Sequence, residues 1–242
     1  MLQNIKGLYG NKLAASDGDI GHVKDFYFDD KTWVIRYLVV DTGSWLTGRL
    51  VLLSPHAFGK LDLVENTLQV KLHKKQIENS PSIESHKPVS RQYEIEYYRY
   101  YGWPAYWNGG ALWGVGGYPV VLPPSKDEME AHLQHHHRDD KHLRSTRAVT
   151  GYHIQATDGP IGYVGDFLVD DSSWAIHELA VETSHWYSGK EISIAPSKIK
   201  RISYKESKVF VNLTKADIQQ RTAENEFVKG GAGKQAARNF RG

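Results

Sequence analysis

The sequence predicts an all-β fold in which one small antiparallel barrel occurs twice through internal duplication. Three observations lead there. First, Gly10–Pro55 (GNKLAASDGDIGHVKDFYFDDKTWVIRYLVVDTGSWLTGRLVLLSP) lies over Gly151–Pro196 (GYHIQATDGPIGYVGDFLVDDSSWAIHELAVETSHWYSGKEISIAP). The offset is constant and ungapped as far as Ile77 and Ile218, with roughly a third of the paired positions identical. Second, polar turn signals recur at matching places in both copies. Third, the runs between them are short and apolar, and short strands punctuated by turns suit a small barrel with few open edges.

Taken in order, Asp17-Gly18 and Asp158-Gly159 are hairpin signals, because glycine accepts the positive φ of a tight turn. Ile20, Val23 and Phe26, matched by Ile161, Val164 and Phe167, predict a strand with one apolar face. Asp29-Asp30 and Asp170-Asp171 form a second polar turn, and Trp33 and Trp174 open the most hydrophobic strand of each copy. There Ile35, Leu38 and Val40 pair with Ile176, Leu179 and Val181. The spacing of three between the first two breaks strict alternation, so a bulge or burial on both faces is expected. Further strands are predicted at Arg49–Ser54 and Leu68–Leu72, matched by Lys190–Ala195 and Val209–Leu213. Short polar helices, Lys74–Asn79 and Lys215–Arg221, close the copies.

The pattern D-G-x-I-G-x-V-x-D-F…D-D…W-x-I…L-x-V resembles the PRC-barrel family, which includes the cytoplasmic domain of the photosynthetic reaction-centre H subunit and the C-terminal domain of a ribosome-maturation factor. The run His142–Val164 (HLRSTRAVTGYHIQATDGPIGYV) is especially similar to bacterial tandem PRC-barrel proteins. The resemblance covers both copies, and the connector less specifically. It implies six-stranded barrels and a non-catalytic binding or scaffolding role, and it carries over no catalytic residues. The likeness to the H subunit implies docking beside a membrane complex, with a light-reaction electron-transfer label. This chain differs from that subunit in having two copies and no apolar span.

The domain reading is a first barrel at 1–80, a connector at 81–145, a second barrel at 146–224 and a basic, flexible tail at 225–242. Pro81–Ser90 reads as linker. Half of the chain's 14 Tyr and three of its seven Trp then fall between Tyr93 and Tyr118, in a stretch whose glycines and prolines argue against a long helix. Tyr97, Tyr101, Trp103, Trp107 and Trp113 are the candidate interaction residues. They either clamp domains or protomers together by burying their rings, or present a surface to a partner, a membrane interface or bases. Fully exposed rings would aggregate, which favours the clamp.

Ser125-Lys126-Asp127-Glu128 fits a capping box and predicts a short helix. His132, His136 and Asp140 fall on one face of it, if it persists, as candidate zinc, nickel or copper ligands. A solvated, His-rich helix end explains the same residues, as does an interface tuned near pH 6. The spacing matches no established metal motif, so no cofactor is expected.

Composition excludes several functions. There are no cysteines, hence no disulfides, thiolate metal sites or cysteine nucleophiles. Asp29-Asp30 with Asp25, and Asp170-Asp171 with Asp166, lack the ligand spacing of a calcium loop, and turn formation explains the paired aspartates better. No G-x-S-x-G, P-loop or dinucleotide fingerprint is present, and a non-enzyme is expected. The net charge of +2 makes nucleic acid a poor candidate partner on bulk electrostatics. The absence of an apolar leader or long apolar run predicts a cytoplasmic protein whose membrane contacts are peripheral. The leading expectation is a scaffold for protein partners, including a homo-oligomer. The alternatives are an RNA- or ribosome-associated factor and a metal- or pH-responsive stress protein.

Overall fold

The computed structural model describes residues 1–81, 91–103, 105–106, 142–183 and 192–220. It divides into unit 1, Met1–Arg147 with Asp170–Ala175, and unit 2, Ala148–Val169 with Ile176–Gly242. Each is built on a curled sheet. Unit 1 contains β1 (Leu2–Asn4), α1 (Ile5–Leu8), β2 (Lys12–Ala15), β3 (Gly18–Asp29), β4 (Val34–Asp41), β5 (Leu50–Leu53), β6 (Phe58–Asp62), β7 (Thr67–Val70) and α2 (Lys74–Glu78). Helix α3 (Arg91–Tyr101), β8 (Leu143–Ser145) and the first residues of α4 (Thr146–Val149) complete it. The hydrogen-bonded order is β5-β4-β3-β2-β7-β6, with β8 beside β3. Among the described strands of this sheet, β2 and β7 are the one parallel pair.

Unit 2 repeats that order as β12-β11-β10-β9-β14-β13. Its strands are β9 (His153–Ala156), β10 (Gly159–Asp170), β11 (Ile176–Thr183), β12 (Ile192–Ile194), β13 (Ile199–Ser203) and β14 (Lys208–Val211). The parallel pair recurs at β9 and β14, and a helix follows over 215–220. The later strands are shorter than the sequence predicts. Strands β6 and β13 go unpredicted because each starts straight after a one-turn 3-10 helix led by Pro55 or Pro196.

The sequence's irregular spacing resolves as a bulge in both units. Tyr27 opposes Tyr37 while Phe28 opposes Ile35, so Arg36 is the extra residue on β4. Leu168 opposes Glu178 while Val169 opposes Ile176, which makes His177 its counterpart on β11. After a bulge, alternation restarts out of step, so Arg36 and Tyr37 both leave the core face. Of the two bulged strands, β4 is the one buried on both faces: every residue from Val34 to Val40 is buried, whereas β11 exposes His177 and Glu182.

Two glycines are required by close approach. A Cβ on Gly21 or Gly162 would lie 2.1 Å from the carbonyl oxygen of Asp41 or Glu182, at φ values of 133° and 154°. Two tryptophans are placed differently from the sequence reading. Trp33 and Trp174 stand in the turn before the strand, each at φ 57°, with the N–H donating to the carbonyl of Asp29 or Asp170 at 2.7 Å. That left-handed conformation costs a non-glycine residue roughly 1–2 kcal/mol. Burial of the indole offsets it, since the two rings are 8% and 5% exposed. Within unit 1, Trp174 stacks on Phe26 at 6.0 Å and meets Phe58 edge-on at 4.7 Å. Its carbonyl accepts the Ile35 N–H at 2.8 Å.

Trp174→Ala is therefore expected to destabilise unit 1 by about 3 kcal/mol, the cost of removing a large buried ring. Urea unfolding followed by far-UV circular dichroism checks it, and a change below about 1 kcal/mol would contradict the packing role.

Candidate functional site

The outer face of β4 and β5 in unit 1 carries Tyr37, Val39 and Leu52, all buried. The equivalent positions of unit 2 hold Glu178, Ala180 and Ser193, an ordinary half-polar surface. An apolar outer face needs a cover, and α3 supplies it. Glu94, Tyr97, Tyr98 and Tyr101 recur at i, i+3, i+4 and i+7, one stripe of a helix. The first three are buried, while Glu96, Arg99 and Tyr100 face solvent. The sequence reading argued against a long helix here and did not place this short one. It ends at Gly102, whose φ of 68° lets the Trp103 N–H turn back to the Tyr98 carbonyl at 3.0 Å.

The cover is bonded as well as packed. The Glu94 carboxylate is wholly buried, and its Oε1 accepts the hydroxyls of Tyr37 and Tyr106, each at 2.7 Å. The Arg36 guanidinium, placed outward by the bulge, lies 4.0 Å over the Tyr106 ring. Tyr97 serves the exposed edge of the sheet: its hydroxyl donates to the Leu52 carbonyl at 2.9 Å and accepts the Ser54 N–H at 3.0 Å. It thus occupies backbone groups of end strand β5 that could otherwise pair with another chain. Tyr101 and Trp103 stack at 4.5 Å, 10° from parallel. His56 packs against Tyr98 and Trp103 at 6.1 and 5.7 Å. Burial raises the Tyr37 and Tyr98 hydroxyls well above their usual range, with the Glu94 charge adding to it, and holds Tyr101 up at about 12.

A second anchor ties residues 142–147 to β3. Asp25 accepts the hydroxyls of Ser145 and Thr146 and the Arg147 N–H, the last two at 3.0 and 3.2 Å. Burial raises its carboxyl above the ordinary value, and these bonds counter the rise. Asp30 binds Arg144 Nε at 2.6 Å and His142 Nδ1 at 2.9 Å. Asp29 is the turn residue, its carboxylate accepting the N–H groups of Lys31 and Thr32 at 2.8 and 3.2 Å. The Asp29-Asp30 pair stands at the turn between β3 and β4 as expected, and Asp30, like Asp25, also binds residues 142–147.

Of the candidate interaction residues, Tyr97, Tyr101 and Trp103 come together in this cluster. Tyr97 is wholly buried. Trp107 and Trp113 lie outside the described residues, as do the metal candidates His132, His136 and Asp140 and the tail at 225–242. Sequence reasoning missed Tyr37, Arg36, His56 and Glu94. The signal for the first was available in the apolar residues that replace Glu178, Ala180 and Ser193 on the unit 1 face.

Two expectations follow from this geometry. Glu94→Ala removes the acceptor shared by two buried hydroxyls and is expected to weaken the α3 cover by about 3 kcal/mol. Hydrogen exchange should show faster amides in α3 and unchanged ones in β9–β14; equal loss throughout would contradict a local role. His56 is held below its ordinary 6.5 by burial and by Arg36. The folded state then binds fewer protons than the unfolded one, so the stability of neutral His56 is full above 6.5 and declines as pH falls toward its folded value. Lowering pH from about 7.5 to about 5.5 should reduce the urea midpoint of the native chain more than that of His56→Gln, and equal shifts would exclude His56 as the cause.

No curated protein matches the chain. The family model described as the PRC-barrel domain matches residues 9–77, from just before β2 to the last turn of α2. Residues 9–77 are a PRC-barrel domain, and the aromatic cluster is built on its outer face.

Proposed function

We propose that the chain is a non-catalytic binding scaffold, in which the PRC-barrel domain is followed by a second of the same type at 146–224 and the two are joined by the connector at 81–145. Support for the second domain comes from the repeated strand order, the paired bulges at Arg36 and His177, and the paired left-handed tryptophans. The observation that carries the scaffold reading is the different use of one sheet face. In unit 1 that face is buried under the chain's own α3, with Glu94, Tyr37 and Tyr97 bonded to one another or to backbone. In unit 2 the corresponding positions stay accessible.

Such a module holds partners without transforming them. Its partners on this reading are proteins: a second copy of the chain, or a membrane-associated complex met from the aqueous side. No helix among the described residues is long and apolar enough to cross a membrane.

Purification of the tagged full chain from its native cells, with and without RNase, followed by quantitative mass spectrometry, tests the reading. A protein recovered in near-stoichiometric amount under both conditions is the expected result. Recovery of the chain alone under both conditions, including after chemical cross-linking, would overturn it.

A further inference from the structure

The outer face of the unit 2 sheet holds a second constellation, unrelated to the aromatic cluster. The register aligns Glu182, Tyr163, His153, Lys208 and Ser203 in one row across β11, β10, β9, β14 and β13, with the one acid at the end away from the cations. The next row aligns Gln155, Phe210 and Arg201. Between them lie the buried core residues Ile154, Val209 and Ile202, so both rows point away from the core. Tyr163 is 41% exposed and its ring lies 4.5 Å from that of His153. The Arg201 guanidinium covers Phe210 at 3.8 Å. At the adjoining hairpin Tyr204 is also 41% exposed.

The charge on this edge is one-sided. From Lys198 to Lys208 the chain carries Lys198, Lys200, Arg201, Lys205 and Lys208 against a single acid, Glu206. Glu206 receives both Arg201 Nη groups at 3.0 Å. The net charge of +2 conceals this concentration. Nor does the fold require these residues. The same register positions of unit 1 hold His22 for Tyr163, Gln69 for Phe210, Leu63 for Tyr204 and Thr67 for Lys208, on a sheet of the same strand order.

We propose that this face binds a single strand of nucleic acid, its bases lying over Tyr163, His153 and the Arg201–Phe210 pair and its phosphates meeting Lys208 and the β13 cations. Two rows on a sheet are about 7 Å apart along the strands, enough for successive splayed bases. Rings on neighbouring strands with flanking cations are the features that let a sheet bind single strands by stacking. An anionic bilayer is the poorer fit, because it would be met by a protruding apolar loop. The loop at this edge is Tyr204-Lys205-Glu206-Ser207, with two charges among its four residues. The inference goes beyond the protein-scaffold reading and does not rest on it.

The test is fluorescence anisotropy of the full chain with a labelled oligouridine of roughly 10 nucleotides, beside the variant Tyr163→His/Phe210→Gln. That variant takes unit 1's own residues, so the sheet tolerates them; an unchanged urea midpoint confirms the fold. The expected result is saturable binding that the variant weakens about tenfold or more, with an unaltered salt slope. Lys208→Ala should instead reduce the slope of log affinity against log salt by about 0.7. Failure of the native chain to bind, or equal affinity for the ring variant, would overturn the proposal. So would tighter binding to phosphatidylglycerol vesicles that the ring variant weakens equally, since the face would then be a lipid site.

Discussion

The buried carboxylate of Glu94 is the contact on which the organisation of unit 1 depends. A wholly buried acid is costly unless it finds donors, and Oε1 takes two, the hydroxyls of Tyr37 on β4 and of Tyr106 beyond α3, from separate parts of the chain. One acceptor therefore joins sheet, helix and connector. Helix α3 has little reason to form alone, being short and rich in tyrosine, whose helix propensity is modest. Its stability comes from laying Tyr97, Tyr98 and Tyr101 on an apolar sheet face and from the bonds that Tyr97 makes to the backbone of β5.

The bulge makes that contact available. By adding Arg36 to β4, it places two consecutive side chains away from the core. Tyr37 then reaches Glu94, and Arg36 lies over Tyr106. The same bulge in β11 presents His177 and Glu178 away from the core, the first exposed and the second half-buried. Identical backbone geometry thus supports a sealed face in one unit and an accessible one in the other. The difference resides in a few side chains, not in topology.

A comparable division applies to charge. Whole-chain charge balances because acids and bases are nearly equal in number, yet residues 198–208 gather five bases against the single acid Glu206. Bulk composition speaks to long-range steering; short-range recognition depends on which side chains a sheet register sets side by side. Tyr163, His153 and Lys208 are far apart in sequence and adjacent only through the β10–β9–β14 pairing.

Turn chemistry, the ungapped repeat and the apolar periodicity were enough, from sequence alone, to predict that the described residues are mostly β-strand in two sheets of the same strand order. They also located much of the aromatic cluster, because the density of rings around Tyr97, Tyr101 and Trp103 is a local property. Which face those rings cover was not legible. The broken alternation signalled a bulge or burial on both faces of β4, but not that Tyr37 and Val39 are the outward residues, since every residue from Val34 to Val40 is buried alike. Helix α3 was obscured by the nearby glycines and prolines, although Gly102 terminates the helix instead of interrupting it. The left-handed tryptophans and the reach of Asp25 and Asp30 to residues 142–147 were likewise decided by tertiary structure. Each depends on what approaches from elsewhere in the chain, and local propensity carries no record of that.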